Sequence, residues 1–228
     1  MKYASRCFKS LFIVFAVCGA FLQPVQAANQ ADLWFYITND KYEDIQELLR
    51  AGLNPNSINN KQQPALMQAI RDGAWKSFDI ILANPKTDVN LGNQFGETPL
   101  MYVALLGDTV RAQKLIARGA KVNKDGWTPL HYASTKGQAA MVKLLLANGA
   151  LPNEISPEGD TALFMAVQTD SLETVQLLIN AGADPSASNL KAQDSIDMAR
   201  LKGKDALARA LEKVAQDRKL KQRQIQTN

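Results

Sequence analysis

The sequence predicts an all-α solenoid of about six stacked helix-turn-helix units, and three observations lead there. A short phrase returns along the chain as Thr98-Pro99-Leu100-Met101, Thr128-Pro129-Leu130-His131 and Thr161-Ala162-Leu163-Phe164. Looser copies read Pro64-Ala65-Leu66-Met67 and Asp194-Ser195-Ile196-Asp197, and a degenerate first copy centres on Leu33. The hydrophobic residue of the phrase falls at 33, 66, 100, 130, 163 and 196, at intervals of 33, 34, 30, 33 and 33. A fixed period of roughly 20–50 residues marks stacked supersecondary units, each burying its apolar face on the next.

The first 27 residues read as a separate object. Lys2, Arg6 and Lys9 form a positive start, Leu11 to Leu22 is an apolar run of twelve, and Pro24 breaks it. Val25-Gln26-Ala27 then has the small-residue pattern of a cleavage site, so a secretory signal removed after Ala27 is expected. The apolar run is shorter than the ~20 residues that cross a bilayer. Val17 stands where a lipidated Cys18 would need a small residue before it.

Cleavage there has two consequences. Cys7 and Cys18, the only two cysteines, would leave with the signal, so the mature chain would hold no thiol for a disulfide, a nucleophile or a zinc site. The whole chain has 26 basic and 22 acidic residues; without Lys2, Arg6 and Lys9 it has 23 against 22, a net charge of +1. That balance gives no warrant for nucleic-acid binding.

Behind the leader, each unit reads as turn, helix, helix, loop. The fourth is clearest. Thr128 caps a first helix, with Pro129 at its first position, where a missing N–H costs nothing. Gly137 permits the reversal, Met141, Val142, Leu144, Leu145 and Leu146 form the stripe of a second helix, and Gly149 ends it. The second unit has Leu66, Ala69 and Gly73, then Phe78, Ile80, Ile81 and Leu82. The third has Leu100, Ala104 and Gly107, then Val110, Leu115 and Ile116. The fifth has Leu163 and Ala166, then Leu172, Val175, Leu177, Leu178 and Ile179. Loops close at Gly52 to Asn56, Gly119 to Asn123 and Gly182 to Ser186.

The Thr-Pro-Leu-His phrase at this period resembles the ankyrin repeat family over essentially the whole expected mature chain. The resemblance implies helix-turn-helix units with short β-hairpin fingers. The unit boundaries expected are near 30–62, 63–96, 97–126, 127–159, 160–192 and 193–215, making one domain over 28–215 and a basic tail over 216–228.

Four departures stand out. The first unit carries Trp34-Phe35-Tyr36 in place of the usual phrase and reads as an N-terminal cap. The loop Asn84-Pro85-Lys86-Thr87-Asp88 lacks a glycine and gains a residue. Four residues, Lys124 to Trp127, separate Asn123 from Thr128 where other junctions have seven, so the fourth finger is clipped. The last unit has Asp197 at the histidine position and a second helix near Ala206 to Val214 rich in alanine and charge, a C-terminal cap. The tail beyond it, with Arg218, Lys219, Lys221 and Arg223 against Asp217, reads as a solvated helix end or as a contact for anionic lipid, though no apolar face accompanies its charges.

Catalytic motifs are missing from this sequence. It contains no Gly-x-Ser-x-Gly, no Gly-rich phosphate loop and no His-Glu-x-x-His, and its carboxylates are scattered. The single histidine, His131, stands at the Thr-Pro-Leu-His position, where the resemblance implies a structural role bonding the turns of adjacent units. No enzyme activity, cofactor or metal is expected.

What remains is surface. In this family the fingers and the solvent side of the first helices line a concave groove. The pair ending each first helix is Arg71-Asp72, Leu105-Leu106, Thr135-Lys136 and Gln168-Thr169, so the third unit is apolar where the others are polar. Phe95 lies on the finger of that unit and Trp127 on the clipped finger beside it. Phe95, Leu105, Leu106 and Trp127 are therefore expected to form the apolar centre of a protein-binding groove. The blander alternative is that Trp127 packs on its own finger and Leu105 tucks under a neighbour. The functional expectation is a monomeric, non-catalytic protein-binding module in a bacterial periplasm, its partner an enzyme it stabilises or a toxin it neutralises. The alternative is an envelope adaptor held at the membrane by the basic tail.

Overall fold

The computed structural model describes residues 31–169 and 171–226; the expected leader lies outside the described residues. Among the described residues six helix pairs follow one another. They are α1 (31–38) with α2 (Tyr42–Arg50), α3 (Ala65–Asp72) with α4 (Trp75–Ala83), and α5 (Pro99–Leu106) with α6 (Thr109–Ala117). Then come α7 (Pro129–Thr135) with α8 (Ala139–Ala147), α9 (Ala162–Gln168) with α10 (Leu172–Asn180), and α11 (Ser195–Leu201) with α12 (Asp205–Gln226). First helices pack side by side through α3, α5, α7, α9 and α11, and second helices form the outer row, as α2 on α4 and α6 on α8 on α10.

The recurrent phrase explains both the start of each first helix and its burial. Thr98, Thr128 and Thr161 accept hydrogen bonds from the backbone N–H of Met101, His131 and Phe164, and Asp194 accepts from Ile196 and Asp197. Such a cap contributes about 1 kcal/mol. The hydrophobic residue of the phrase, Leu33, Leu66, Leu100, Leu130, Leu163 or Ile196, is at most 8% exposed in every unit. These six positions form one column through the core, so each unit is covered only by its neighbours.

The chain reversal of the first unit uses Asp40 where the second, third, fourth and sixth units use Gly73, Gly107, Gly137 and Gly203, and Asp40 adopts φ 49°. Its carboxylate is held by the next unit, accepting from Ser77 N at 2.8 Å and Ser77 Oγ at 2.7 Å at the start of α4. Burial opposes ionisation of Asp40, but the Ser77 bonds prevail and hold its carboxyl below the usual range. The glycine-free loop after α4 is completed from outside: the Arg118 guanidinium donates to the Leu82 and Asn84 carbonyls that a glycine cap would otherwise have turned inward.

On the loop edge a row of asparagines joins consecutive units. Asn56, Asn90, Asn123 and Asn153 each donate through Nδ2 to the next loop, to Lys86 O, Gly119 O, Gly149 O and Gly182 O at 2.8–3.0 Å. Each also accepts at Oδ1 from that same loop, from the N–H of Asp88, Lys121, Leu151 and Asp184 at 2.7–3.0 Å.

One expectation needs correcting. The fingers are not β-hairpins with ladders: the described residues carry isolated bridges, Ile58 with Pro64 and Ile155 with Thr161. A polar side chain organises each full-length finger instead. Asn59, Asn93, Ser156 and Asn189 each accept two backbone N–H groups of their own turn. Seven residues make a tight turn around one such acceptor, too short for paired strands. The basic tail is reached without a break, because α12 runs for 22 residues, about 33 Å, to Gln226. Its sequence beyond Ala215 contains no glycine or proline to stop it.

Candidate functional site

The residues singled out by the sequence do not form one cluster. Phe95 sits at the tip of the third finger, 75% exposed, and Leu106 ends α5, 52% exposed. The finger precedes α5 and Leu106 is the last of its eight residues, so most of the length of the helix, about 12 Å in all, separates the two. Leu105 is half-buried, and its carbonyl accepts from the Gln138 amide of the next unit at 3.5 Å. Trp127 is half-buried too. Its ring stands edge-on to His131 at 5.5 Å and to Tyr132 at 6.2 Å, so much of its surface serves its own unit.

A polar cluster that sequence reading missed occupies the middle of the groove. Glu97, the last residue of the third finger, accepts from the Tyr102 hydroxyl at 3.0 Å, from Asn93 Nδ2 at 2.7 Å, and from the Tyr132 hydroxyl of the next unit. Burial works against the charge on Glu97, but the donors Tyr132, Asn93 and Tyr102 outweigh it and hold its carboxyl below the ordinary value. Burial and the facing carboxylate push the Tyr102 and Tyr132 hydroxyls upward. The signal was present: Tyr102 and Tyr132 each stand four residues after the capping threonine of their unit. Their meeting at Glu97 depends on the rotation between units, which sequence does not give.

His131 is buried, and it bridges two units. Its Nδ1 lies 3.2 Å from Thr128 N and 2.8 Å from Thr128 Oγ1, and its Nε2 lies 3.0 Å from the Asp160 carbonyl of the next finger. These partners assign the neutral tautomer with the proton on Nε2. Burial lowers the imidazole below its usual pKa, partly offset by the Asp160 carbonyl.

A second opening lies further along the concave side. A cleft of about 430 Å³ runs between the fifth and sixth fingers and over α9 and α11. It is lined by the apolar Phe164, Met198, Leu190 and Pro157 and by polar groups that include Glu158, Asp160 and Gln168. Gln168, from the polar pair that ends the first helix of the fifth unit, is part of this lining.

Among the described residues, no group of three or more His, Cys, Asp or Glu side chains is gathered to hold a metal. No described helix is long and apolar enough to cross a membrane.

Comparison with known proteins agrees with this architecture. The sequence profile of the family described as ankyrin repeats (3 copies) matches residues 76–155, 111–189 and 142–217, together more than half of the chain. Ankyrin repeat and SAM domain-containing protein 6 of Mus musculus is 32% identical over 163 residues, 71% of this chain. Its Rattus norvegicus counterpart is also 32% identical over 163 residues. The chain spans 15% of the length of these two curated relatives. Among solved structures, an ankyrin repeat domain from Acinetobacter baumannii AYE superposes with a TM-score of 0.69 at 24% identity, covering 81% of this chain and 95% of that one. At that identity the superposition speaks for the fold alone.

Proposed function

Because this chain belongs to the ankyrin repeat family, whose repeats are generally non-catalytic modules for binding other proteins, we propose that it binds a partner protein across its concave groove, after export to the periplasm. One observation carries the choice of surface. Leu106 stays 52% exposed at the end of α5, where the neighbouring units place Asp72, Lys136 and Thr169. Fully burying a leucine contributes ~1.5–3 kcal/mol, so a stack that leaves one half in water keeps roughly half of that sum for a partner. The Glu97–Tyr102–Tyr132 bonds fix the surface beside it and lower the ordering cost of binding. The leader pattern over 1–27 supports export, with a mature form starting at Ala28. A periplasmic enzyme to be stabilised or a toxin to be neutralised both fit the partner role.

The test is paired. Crosslinking of periplasmic contents to the mature chain, read by mass spectrometry, supplies the partner, and intact mass reads the start of the chain. Leu106→Asp should leave thermal melting unchanged and weaken that partner by about 30-fold, the ~2 kcal/mol of a hot spot. Gln113→Ala, exposed on the outer helix α6, should change neither. A large fall in melting temperature, or unchanged affinity, would count against this surface.

The membrane-adaptor reading draws on α12, which carries Arg218, Lys219, Lys221 and Arg223 out to Gln226. Its exposed Leu220 and Ile225 are five residues apart, about 140° around the helix, and so share no apolar face. That geometry favours the protein-binding reading. Fractionation separates the two, since a tail held only by lipid charge releases in high salt.

A further inference from the structure

The cleft between the last two fingers is set apart by two direct bonds between those fingers and by two carboxylates along it. Leu190 N donates to Glu158 O at 2.9 Å, and Asn189 Nδ2 donates to Asp160 Oδ1 at 2.7 Å, so two bonds clamp the fifth finger to the sixth. The backbones approach so closely that a Cβ on Gly159 would lie 3.0 Å from Asn189 Cα and Leu190 N. Gly159 also has φ 81°, so any side chain there would both strain the turn and part the fingers.

Two carboxylates are held at the rim of this clamp. Asp160 is fixed by Asn189, and Glu158 accepts from Ser156 Oγ at 2.9 Å. Neither makes an ion pair among the described residues. Lys191 also faces the cleft, but as an exposed point charge on a flexible stem rather than a fixed one. Four of the lining side chains, Phe164, Met198, Leu190 and Pro157, are apolar. At about 430 Å³ the cleft is at the low end of pockets that hold small ligands (~300–1,000 Å³), which suits one or two side chains.

We propose that this cleft is a second anchor subsite of the groove and takes a lysine or arginine side chain from an extended segment of the partner. The methylene stem lies on Phe164 and Met198, and the cationic head reaches Glu158 and Asp160. The inference rests on the protein-binding reading above and specifies one chemical feature of the partner.

The probes are photo-crosslinking heptapeptides of the frame Gly-Ser-Leu-Xaa-Leu-Ser-Gly, with Xaa as Lys, Arg, Gln, Glu or Leu, applied to the full mature chain. The Lys and Arg peptides should label segments 157–168 and 189–198 about tenfold more than the others, the effect of one partly desolvated charge pair. The preference should shrink in 0.5 M salt and disappear in Glu158→Gln/Asp160→Asn. Should that double variant melt early because Asn189 loses its acceptor, Glu158→Gln alone decides, since the exposed Glu158 bonds only its own turn through its side chain. Lys191→Gln should strengthen the labelling. Equal labelling by the Gln or Leu peptide, labelling outside those segments, or a preference unchanged in the variants overturns the subsite. None of these outcomes depends on Leu106, so loss of the subsite with Leu106→Asp still weakening the natural partner leaves the main groove standing.

Discussion

Protonating His131 would set a new N–H against the Thr128 N–H that its Nδ1 now faces at 3.2 Å, inside the buried join between the fourth and fifth units. The folded state therefore binds that proton less tightly than the unfolded chain, whose imidazole keeps the ordinary value of 6.5. Acid then favours unfolding: stability should fall as pH drops below about 6.5, by up to ~1.4 kcal/mol per pH unit, until the depressed folded pKa is reached. Asp40, Glu97 and Asp108 are held below their ordinary values of 3.8, 4.5 and 3.8, so their loss begins in more acid solution. Urea midpoints at pH 7.5 and 5.5 check this. His131→Gln should be less stable at pH 7.5 yet nearly flat between the two, and a slope that survives the change would place its origin elsewhere. His131 was legible in sequence, because its phrase fixes where the ring goes. Glu97 was not, since its three donors come from its own finger, its own helix and the next unit.

At the scale of elements, the phrase and the glycines located the second, third, fourth and sixth helix pairs, because capping and reversal are local chemistry; the first and fifth, with no reversal glycine, were placed by the period. What they missed lies in elements that are ended or extended by something else. The loop after α4 has no glycine because Arg118, a unit away, takes its carbonyls. Helix α12 outruns the core because Lys, Arg, Gln and Leu are all good helix formers and nothing breaks them. Its buried residues, Ala208, Leu211 and Ala215, end at 215. Ending the chain after Ala215 should thus cost under about 1 kcal/mol, as exposed contacts do. Ending it after Ala206 strips the outer cover of α11 and should lower the melting temperature of the whole stack. Melts of the two truncations compare directly, and a large loss from the first would mean the projecting turns are part of the cap.

For the whole molecule, a core made of one repeated column predicts modular stability. Deleting 130–162, one period running from Leu130 to the residue before Leu163, keeps every remaining unit in phase. The product should fold as five helix pairs, with a urea m-value lower by about a sixth because less surface is exposed on unfolding. Loss of cooperative helical unfolding would mean that the fourth unit, with its clipped finger and His131, is a keystone the others cannot replace. The two edges of the stack are also built differently. Along the loops, Asn56, Asn90, Asn123 and Asn153 tie each junction twice, once as donor and once as acceptor. Along the fingers the ties are particular to a place, such as Tyr132 to Glu97, His131 to Asp160, and the pair that clamps the last two turns. The loop edge thus behaves as the inextensible spine of a fan. Bending that spares the spine would open or close the vanes that lack a clamp and so change the mouth of the groove, while the clamped fifth and sixth would move as one. A partner gripping several vanes at once would stiffen the whole protein without touching its spine.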